Sequence, residues 1–389
     1  MKEIKLIKST FYKEKNTKRL LCEFIKKSKQ LSIGKECEKF EEKFSEWQGR
    51  KYCVMFNSGS SANLALIQSL LNIGKIKKNK KVGFSAITWA TNVMPLMQLG
   101  LKPIPVDIEK RSLNISLDKI KVAYKKDKFD CLFLTNLLGF SDNLISIKNF
   151  CNKNNIVLIE DNCESLGSEY ENIKLGNFGL ASTFSFFAGH HLSTVEGGAA
   201  CTDDESIYTE LKMVRSHGWD RHLSFTNQNY LRKKYKVTKF YSKYIFYDLA
   251  YNLRPTEIQG FLGLTQLRYI NEIIKKREYN FNKFLNIYKN SDFENLDFKK
   301  MNIISNFGFP ILCKEKSKVK KYIRLCNKNK IEIRPIVGGL ITKQPFYKKY
   351  IKENYNLSNA EDVYAKGFYF GNNPEMIKSE INYIVNLLK

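Results

Sequence analysis

Short apolar runs alternate with stretches of helical periodicity over the first two thirds of the chain. Residues 51–57 (KYCVMFN) predict a strand. Residues 60–72 (SSANLALIQSLLN) follow with apolar positions at helical spacing behind two serines, which are good N-cap residues, and predict a helix. Further strands are predicted at 81–86 (KVGFSA), 102–108 (KPIPVDI), 131–138 (CLFLTNLL), 156–161 (IVLIED), 182–187 (STFSFF) and 197–202 (GGAACT). Continuous apolar runs of this kind suit strands buried on both faces beneath helices. Strand–helix alternation then predicts an α/β layer around a mainly parallel sheet. After residue 255 the texture changes. One or two long helices are predicted over 255–290, a strand at 306–313, a helix at 316–329, a strand at 331–335 and a last helix at 376–389. The chain thus divides into an N-terminal segment plus a large domain, residues 1–255, and a smaller C-terminal α+β domain, residues 256–389. No internal repeat or low-complexity linker interrupts it.

Charge changes this picture little. The 65 Lys and Arg against 39 Asp and Glu leave a formal net charge of +26. Such an excess would suit an acidic partner. The lysines are scattered over helix faces, however, and no nucleic-acid motif is visible, so no nucleic-acid partner is expected. The nine cysteines (22, 37, 53, 131, 151, 163, 201, 313 and 326) form no C-x-x-C or C-x-C pair. Neither a zinc site nor a local cluster-ligand run is predicted. Cys53, Cys131 and Cys201 lie in apolar runs and read as small buried hydrophobes, which suits a reducing compartment. The start, Met1-Lys2-Glu3-Ile4-Lys5, lacks the apolar core of a signal peptide, and no apolar stretch is long enough to span a bilayer. A soluble cytoplasmic protein is the expectation.

Three segments carry candidate chemistry. Asn57-Ser58-Gly59-Ser60-Ser61-Ala62 is a strand end, a glycine turn and a helix start, a geometry that aims backbone N–H groups and the helix dipole at an anion. Ile159-Glu160-Asp161-Asn162-Cys163-Glu164 places a carboxylate at the end of a hydrophobic strand, where ligands of open α/β sheets bind. Ser182-Thr183-Phe184-Ser185-Phe186-Phe187-Ala188-Gly189-His190-His191, followed by Glu196-Gly197-Gly198-Ala199, delivers a serine, paired histidines and a glycine turn. No Asp, Glu or Cys stands at ligand spacing to complete a metal site there, and no metal is expected. Taken singly, each segment has a commonplace explanation: a helix cap, a turn carboxylate, a structural histidine.

Their order and spacing are more specific. With Leu31-Ser32-Ile33-Gly34-Lys35, Phe40-Glu41-Glu42-Lys43-Phe44, Asn63, Thr88-Trp89-Ala90-Thr91-Asn92, Tyr251-Asn252-Leu253-Arg254-Pro255-Thr256-Glu257-Ile258-Gln259 and Gly371-Asn372-Asn373-Pro374, the chain resembles, nearly end to end, the fold type I PLP-dependent aminotransferases of nucleotide-sugar biosynthesis. That resemblance implies a pyridoxal 5′-phosphate or pyridoxamine 5′-phosphate (PLP or PMP) cofactor. It implies a phosphate cradle from the Gly59 and Ser60 amides and the Ser185 hydroxyl, and Trp89 stacked on the pyridine ring. It implies Asp161 as the carboxylate that keeps the ring nitrogen protonated, so that the ring acts as an electron sink. Asn252 corresponds to a residue reaching the phosphate from the partner subunit, which implies a homodimer with shared active sites.

At one position the chain departs from most of that family. The lysine that anchors the cofactor covalently stands five residues after the serine equivalent to Ser185; here that position is His190. From Leu175 to Leu211 there is neither Lys nor Arg. An imidazole cannot anchor the cofactor through a carbon–nitrogen double bond, so the cofactor is expected to be held non-covalently, as PMP. Histidine is nonetheless a competent proton-transfer group. The resemblance narrows to the sugar 3-dehydratases of the family, in which a histidine replaces the lysine. Glu164, where the aminotransferases usually carry Gln, is counted among the cofactor-binding residues on the same ground.

The implied activity is removal of the 3-hydroxyl of a 4-keto-6-deoxy sugar nucleotide, hexose or heptose. Of two subtypes, the CDP-linked one needs a reductase and an iron–sulfur cluster on closely spaced cysteines. After Cys201 the next cysteine is Cys313, so no cluster is expected. The GDP-linked subtype, recharged by L-glutamate, is favoured; the Arg254 guanidinium reads either as a partner for the glutamate carboxylate or as half of a surface or interface ion pair. Alternatives are an ordinary sugar aminotransferase, the CDP-linked enzyme and a catalytically inactive regulatory member. His191 reads as packing beside His190, His217 as shaping a turn, and Arg334 as either a diphosphate contact or a structural residue.

Overall fold

The buried strands form where the continuous apolar runs lie. The computed structural model describes residues 3–298 and 300–389. Its main sheet contains β1 (Tyr52–Phe56), β2 (Lys81–Ser85), β3 (Lys102–Val106), β4 (Cys131–Thr135) and β5 (Val157–Asp161). After a small hairpin, β6 (Glu169–Tyr170) and β7 (Ile173–Lys174), the sheet is completed by β8 (Ala181–Ser185) and β9 (Gly198–Thr202). The spatial order is β1-β9-β8-β5-β4-β2-β3, and only β9 runs against the others. Both faces are covered. Val54, Phe56, Leu66, Phe133 and Ile159 pack on one side, and Leu132, Leu134, Leu158 and Phe281 on the other, all at 5% exposure or less.

The edge of this sheet is closed chemically. In β3 the Lys102 amide turns inward, to the Lys80 carbonyl at 2.9 Å. By the two-residue alternation of a strand, the outward amides would belong to Pro103 and Pro105, which have no N–H to offer another strand.

Two predicted strands are shorter than their apolar runs. The run 131–138 leaves the sheet after Thr135, because Leu137 and Leu138 are buried in a turn. There the Leu137 amide donates to Asn114 Oδ1 at 2.9 Å and the Leu138 amide to Glu164 Oε2 at 2.7 Å. The run 182–187 likewise ends at Ser185, and Phe186 is buried outside the sheet against Phe40 and Phe44. Hydrophobic continuity reports burial, and here burial outlasts the strand.

Past residue 255 the helices are Glu257–Leu267 and Ile270–Phe284, followed by β10 (Met301–Ile303), which pairs with β6. A three-stranded antiparallel sheet follows: β11 (Gly308–Leu312), β12 (Ile333–Pro335) and β13 (Gly367–Gly371), in the order β11-β13-β12. The position drawn as a boundary, residue 255, is bridged in both directions. The Glu257 carboxylate accepts from the Glu36 and Cys37 amides at 3.0 and 3.1 Å and so caps the Lys35–Gln48 helix. A Cβ on Gly260 would lie 2.5 Å from the Cys37 nitrogen, so the two helices meet backbone to backbone. In the other direction, Ile4 bridges Ile331, and Lys8 pairs with Glu380 at 2.6 Å.

Candidate functional site

The site assembles at the carboxyl ends of the parallel strands. Thr135, Asp161 and Thr183 stand in one row across β4, β5 and β8. On the neighbouring strands Phe56 and Ser185 both face Gly198.

The glycine turn after β1 is shaped by crowding. A Cβ on Gly59 would sit 2.7 Å from the Ser185 Cβ, and one on Gly198 would sit 2.4 Å from the Gly59 nitrogen. Only glycine at both positions lets the helix start, the end of β8 and the start of β9 approach this closely. Ser58 caps the Gly59–Asn72 helix: its Oγ accepts from the Ser61 amide at 3.1 Å and its carbonyl from the Ala62 amide at 3.0 Å. That leaves the Gly59 and Ser60 amides with no acceptor among the described residues. Orphan amides at a helix N-terminus form a receptor for an anion. The Ser185 hydroxyl stands beside them.

Asp161 is 4% exposed, and its carboxylate is fixed by three donors. Asn63 and Asn92 donate side-chain amides to Oδ2 at 2.9 and 2.8 Å, and the Cys163 amide donates to Oδ1 at 2.9 Å. Thr183 Oγ1 in turn holds Asn63 Oδ1 at 2.6 Å. An oxygen with one donor keeps acceptor capacity for a ring N–H. The preceding Glu160 serves structure, being fully buried and accepting from the Gly176, Phe178 and Gly179 amides.

Trp89 lies beyond β2 and is 55% exposed, an uncommon position for indole unless something covers it. Its neighbour Thr88 is buried, with Oγ1 2.6 Å from Thr135 Oγ1. Gly338, at φ +67°, presses on the Thr88–Trp89 backbone so closely that a Cβ would overlap the Thr88 carbonyl oxygen.

Glu164 is buried, and its Oε2 accepts from the Leu138 amide. Burial pushes its carboxyl up to about 8; the Leu138 amide opposes this and the Asp161 charge adds to it. Between about pH 4.5 and 8 the folded protein therefore holds a proton that the unfolded chain has released, and stability is lost as pH rises through that window. We expect Glu164→Gln to raise Tm over the wild type by at least ~1 °C at pH 8, the equivalent of about 1 kcal/mol for a chain of this length. The gain should shrink towards zero at pH 5, as measured by thermal unfolding. Equal differences at both pH values would mean that Glu164 is already ionised in the folded protein.

His190 occupies a turn beyond β8 and is half-buried. Its amide donates to the Phe187 carbonyl at 2.9 Å. Its ring lies between Phe187 and Phe307, with centroids 6.1 and 5.5 Å away, and its Nδ1 is buried without a partner. Burial lowers the imidazole to about 4; Asp161 opposes the shift and Arg277 reinforces it. At neutral pH the ring is uncharged and can accept a proton. His191 is buried, with Nε2 2.6 Å from the Ser305 carbonyl oxygen, and anchors the turn.

The two lysines that flank the lysine-free stretch are engaged elsewhere. The flanking Lys174 binds the Trp47 carbonyl, and Lys212 binds the Tyr208 hydroxyl at 3.3 Å. Asn252 and Arg254 lie together, Arg254 Nε donating to Asn252 Oδ1 at 2.9 Å, on a segment whose Leu253 carbonyl accepts from the Asn57 amide. The Asn252 side chain is exposed. His217 sits at φ +59° and shapes its turn, while Arg334 pairs with Glu332 at 2.6 Å. Sequence reasoning quoted Asn63 and Asn92 only as parts of motifs and missed their hold on Asp161. It missed Arg277 altogether, which nothing local distinguishes from the other basic residues of its helix.

A cofactor with an anionic group and a cationic aromatic nitrogen fits these residues. The two free amides and the Ser185 hydroxyl suit the anion, the spare lone pair of Asp161 suits the ring N–H, and the exposed indole suits the ring face.

Residues 13–389 match the DegT/DnrJ/EryC1/StrS aminotransferase family. The chain is 36% identical over 375 residues to the GDP-4-keto-6-deoxy-D-mannose 3-dehydratase of Escherichia coli O55:H7, covering 93% of this chain and 94% of that protein. It is 33% identical over 368 residues to the Yersinia pseudotuberculosis protein of the same name, with 93% of each covered. Among solved structures it resembles the E. coli GDP-4-keto-6-deoxy-D-mannose-3-dehydratase with bound hydrated PLP, at TM-score 0.89 and 34% identity over 99% of both chains. A GDP-4-keto-6-deoxymannose-3-dehydratase with a trapped PLP–glutamate adduct resembles it at TM-score 0.90 and 34% identity, over 99% of this chain and all of that one.

Proposed function

The chain belongs to the DegT/DnrJ/EryC1/StrS aminotransferase family, and from that premise we propose that it is a PMP-dependent 3-dehydratase acting on a GDP-4-keto-6-deoxy sugar, with L-glutamate restoring the cofactor amine. One observation carries the reading: an uncharged histidine stands at the lysine position of a site otherwise equipped for the cofactor, with the flanking lysines engaged elsewhere.

When bound, the cofactor supplies an amine for the C4 ketone and a ring that accepts electrons as the C3–oxygen bond breaks. The residues divide the remaining work. The Gly59 and Ser60 amides and the Ser185 hydroxyl hold the phosphate. Trp89 covers one face of the ring. Asp161, held in place by its three donors, faces the ring nitrogen and keeps its proton there. Glu164, protonated at neutral pH, lies beside that carboxylate without adding a second charge. His190 takes a proton from the carbon that bears the amine and returns one to the departing hydroxyl. In sum, sugar and L-glutamate give the 3-deoxy sugar, 2-oxoglutarate and ammonia; the oxygen lost by the sugar balances that gained by glutamate.

Asn252 would reach the phosphate of a second copy, with Arg254 beside it for the glutamate carboxylate. Phe225, Phe240 and Tyr244, each more than 70% exposed, suit a face that another copy covers. No helix among the described residues is long and apolar enough to cross a membrane. The nine unpaired cysteines suit a reducing compartment, in keeping with the cytoplasm.

The test is mass spectrometry of GDP-4-keto-6-deoxymannose incubated with the protein, PLP and L-glutamate. The expected result is loss of one oxygen from the sugar with equimolar 2-oxoglutarate; an amino-sugar product would overturn the reading. Borohydride added after free PLP is removed should leave no stoichiometric label. A label mapping to one lysine would restore the ordinary aminotransferase.

A further inference from the structure

We propose that Arg277 is a positioning residue for His190: a buried guanidinium, without a carboxylate partner among the described residues, that ties the histidine turn to the ends of the strand segments at Asn306 and Asn372. Arg277 lies on the Ile270–Phe284 helix and is 3% exposed. A buried arginine ordinarily pairs with an acid. Among the described residues this one has no ion pair, and its hydrogen bonds go to three carbonyl oxygens. Nη2 donates to His190 at 3.1 Å, and Nη1 donates to Asn306 at 3.3 Å and to Asn372.

The acceptors are themselves locked. Asn372 Nδ2 donates to the Arg277 carbonyl at 2.8 Å and to Asn306 Oδ1 at 2.7 Å, and Asn280 Nδ2 donates to Asn372 Oδ1 at 3.0 Å. Asn306 Nδ2 donates to the Gly308 carbonyl at 2.7 Å. The guanidinium fork is rigid and planar, so one side chain fixes three peptides at once; an ammonium on a flexible stem cannot.

The arrangement also places a fixed positive charge behind the imidazole. The groups whose charge reaches the His190 ring are Asp161 at the end of β5, which favours its protonation, and Arg277, which opposes it; the Cys163 backbone favours it. Burial lowers the adjacent His191 imidazole well below its ordinary value, and the same guanidinium adds to that shift. Phe187 and Phe307 supply the apolar walls. Arg277 thus fixes where the imidazole stands and reinforces the burial that keeps it uncharged.

Two readouts test this, and they fail separately. Histidine 15N–1H spectra of the cofactor-free protein should show wild-type His190 titrating well below its ordinary value. In Arg277→Met that titration should rise by roughly a unit as the like charge is removed, while Arg277→Lys should leave it low. A wild-type His190 that titrates normally overturns the proposal, whether or not the variants fold. The kinetic readout rests on the dehydratase reading. Arg277→Lys, folded by circular dichroism, should lose at least ~tenfold in kcat with KM within ~threefold, whereas a purely structural residue would lower the active fraction and leave the titration unmoved. A folded Arg277→Lys protein with wild-type kcat overturns the positioning role even if His190 proves essential. Loss of activity in His190→Asn decides the dehydratase reading independently of both.

Discussion

Replacing His190 by asparagine should slow dehydration of a GDP-4-keto-6-deoxy sugar by about 10³-fold, within the 10²–10⁴ that a positioned acid–base group contributes. The fold should survive. The turn is held by backbone groups that asparagine retains: the residue 190 amide to the Phe187 carbonyl and the residue 190 carbonyl to Arg277. Only the ring is lost, and its Nδ1 has no partner in the resting protein, so no hydrogen bond is orphaned there. PLP affinity should change little, because the phosphate and ring-nitrogen contacts lie elsewhere. Single-turnover conversion of sugar by the PMP-loaded protein measures the effect free of glutamate recharging. The wild-type rate should hold on the acid side until pH approaches about 4, where the imidazole charges, and the variant should lack that limb. A His190→Asn protein within tenfold of the wild-type rate would remove His190 from the chemistry.

Asp161→Asn should be nearly as damaging and should also cost stability. The carboxylate offers acceptors to three donors, the Asn63 and Asn92 amides on one oxygen and the Cys163 amide on the other. A carboxamide presents one oxygen and one NH₂, so either orientation sets donor against donor in a site only 4% exposed. Leaving a buried donor unsatisfied costs about 1–3 kcal/mol. Loss of the negative charge also removes the group that holds a proton on the ring nitrogen, and turnover should fall by about 10³-fold on the scale of a lost electrostatic stabiliser. The same charge supports protonation of His190, so its imidazole should titrate lower still in the variant. Tm, PLP binding by fluorescence and single-turnover rate are the measurements. A stable Asp161→Asn protein with near-normal turnover would mean that the carboxylate is only a scaffold for the two asparagines.

These effects differ in how far they could be foreseen. The Asp161 position follows from a strand run that ends in a carboxylate, and the anion receptor follows from a glycine turn leading into a serine-capped helix. Both are features of adjacent residues. The buttress of Asp161 is not, since Asn63 and Asn92 lie 98 and 69 residues away in the chain. Glu164 was noticed as a departure from glutamine, but its retained proton depends on complete burial beside Asp161. The run 131–138 shows the same limit from the other side. Its hydrophobicity was legible, whereas the turn at Leu138 is stabilised by Glu164, which comes 26 residues later.

By itself the sequence determined the parallel sheet, because strands buried on both faces must be apolar throughout. It determined the helix-start receptor, because capping and glycine freedom are local properties. It also determined that no amine lies between Leu175 and Leu211 to take the place filled by His190. Tertiary structure alone decided what that histidine is able to do. Its neighbours Asp161, Arg277 and Phe307 come from three separate stretches of chain, and Arg277 meets it across 87 residues. Residue type and periodicity are set by nearest neighbours along the chain. The protonation state of a side chain is set by the charges and the lack of water around it in space, and only packing brings those together.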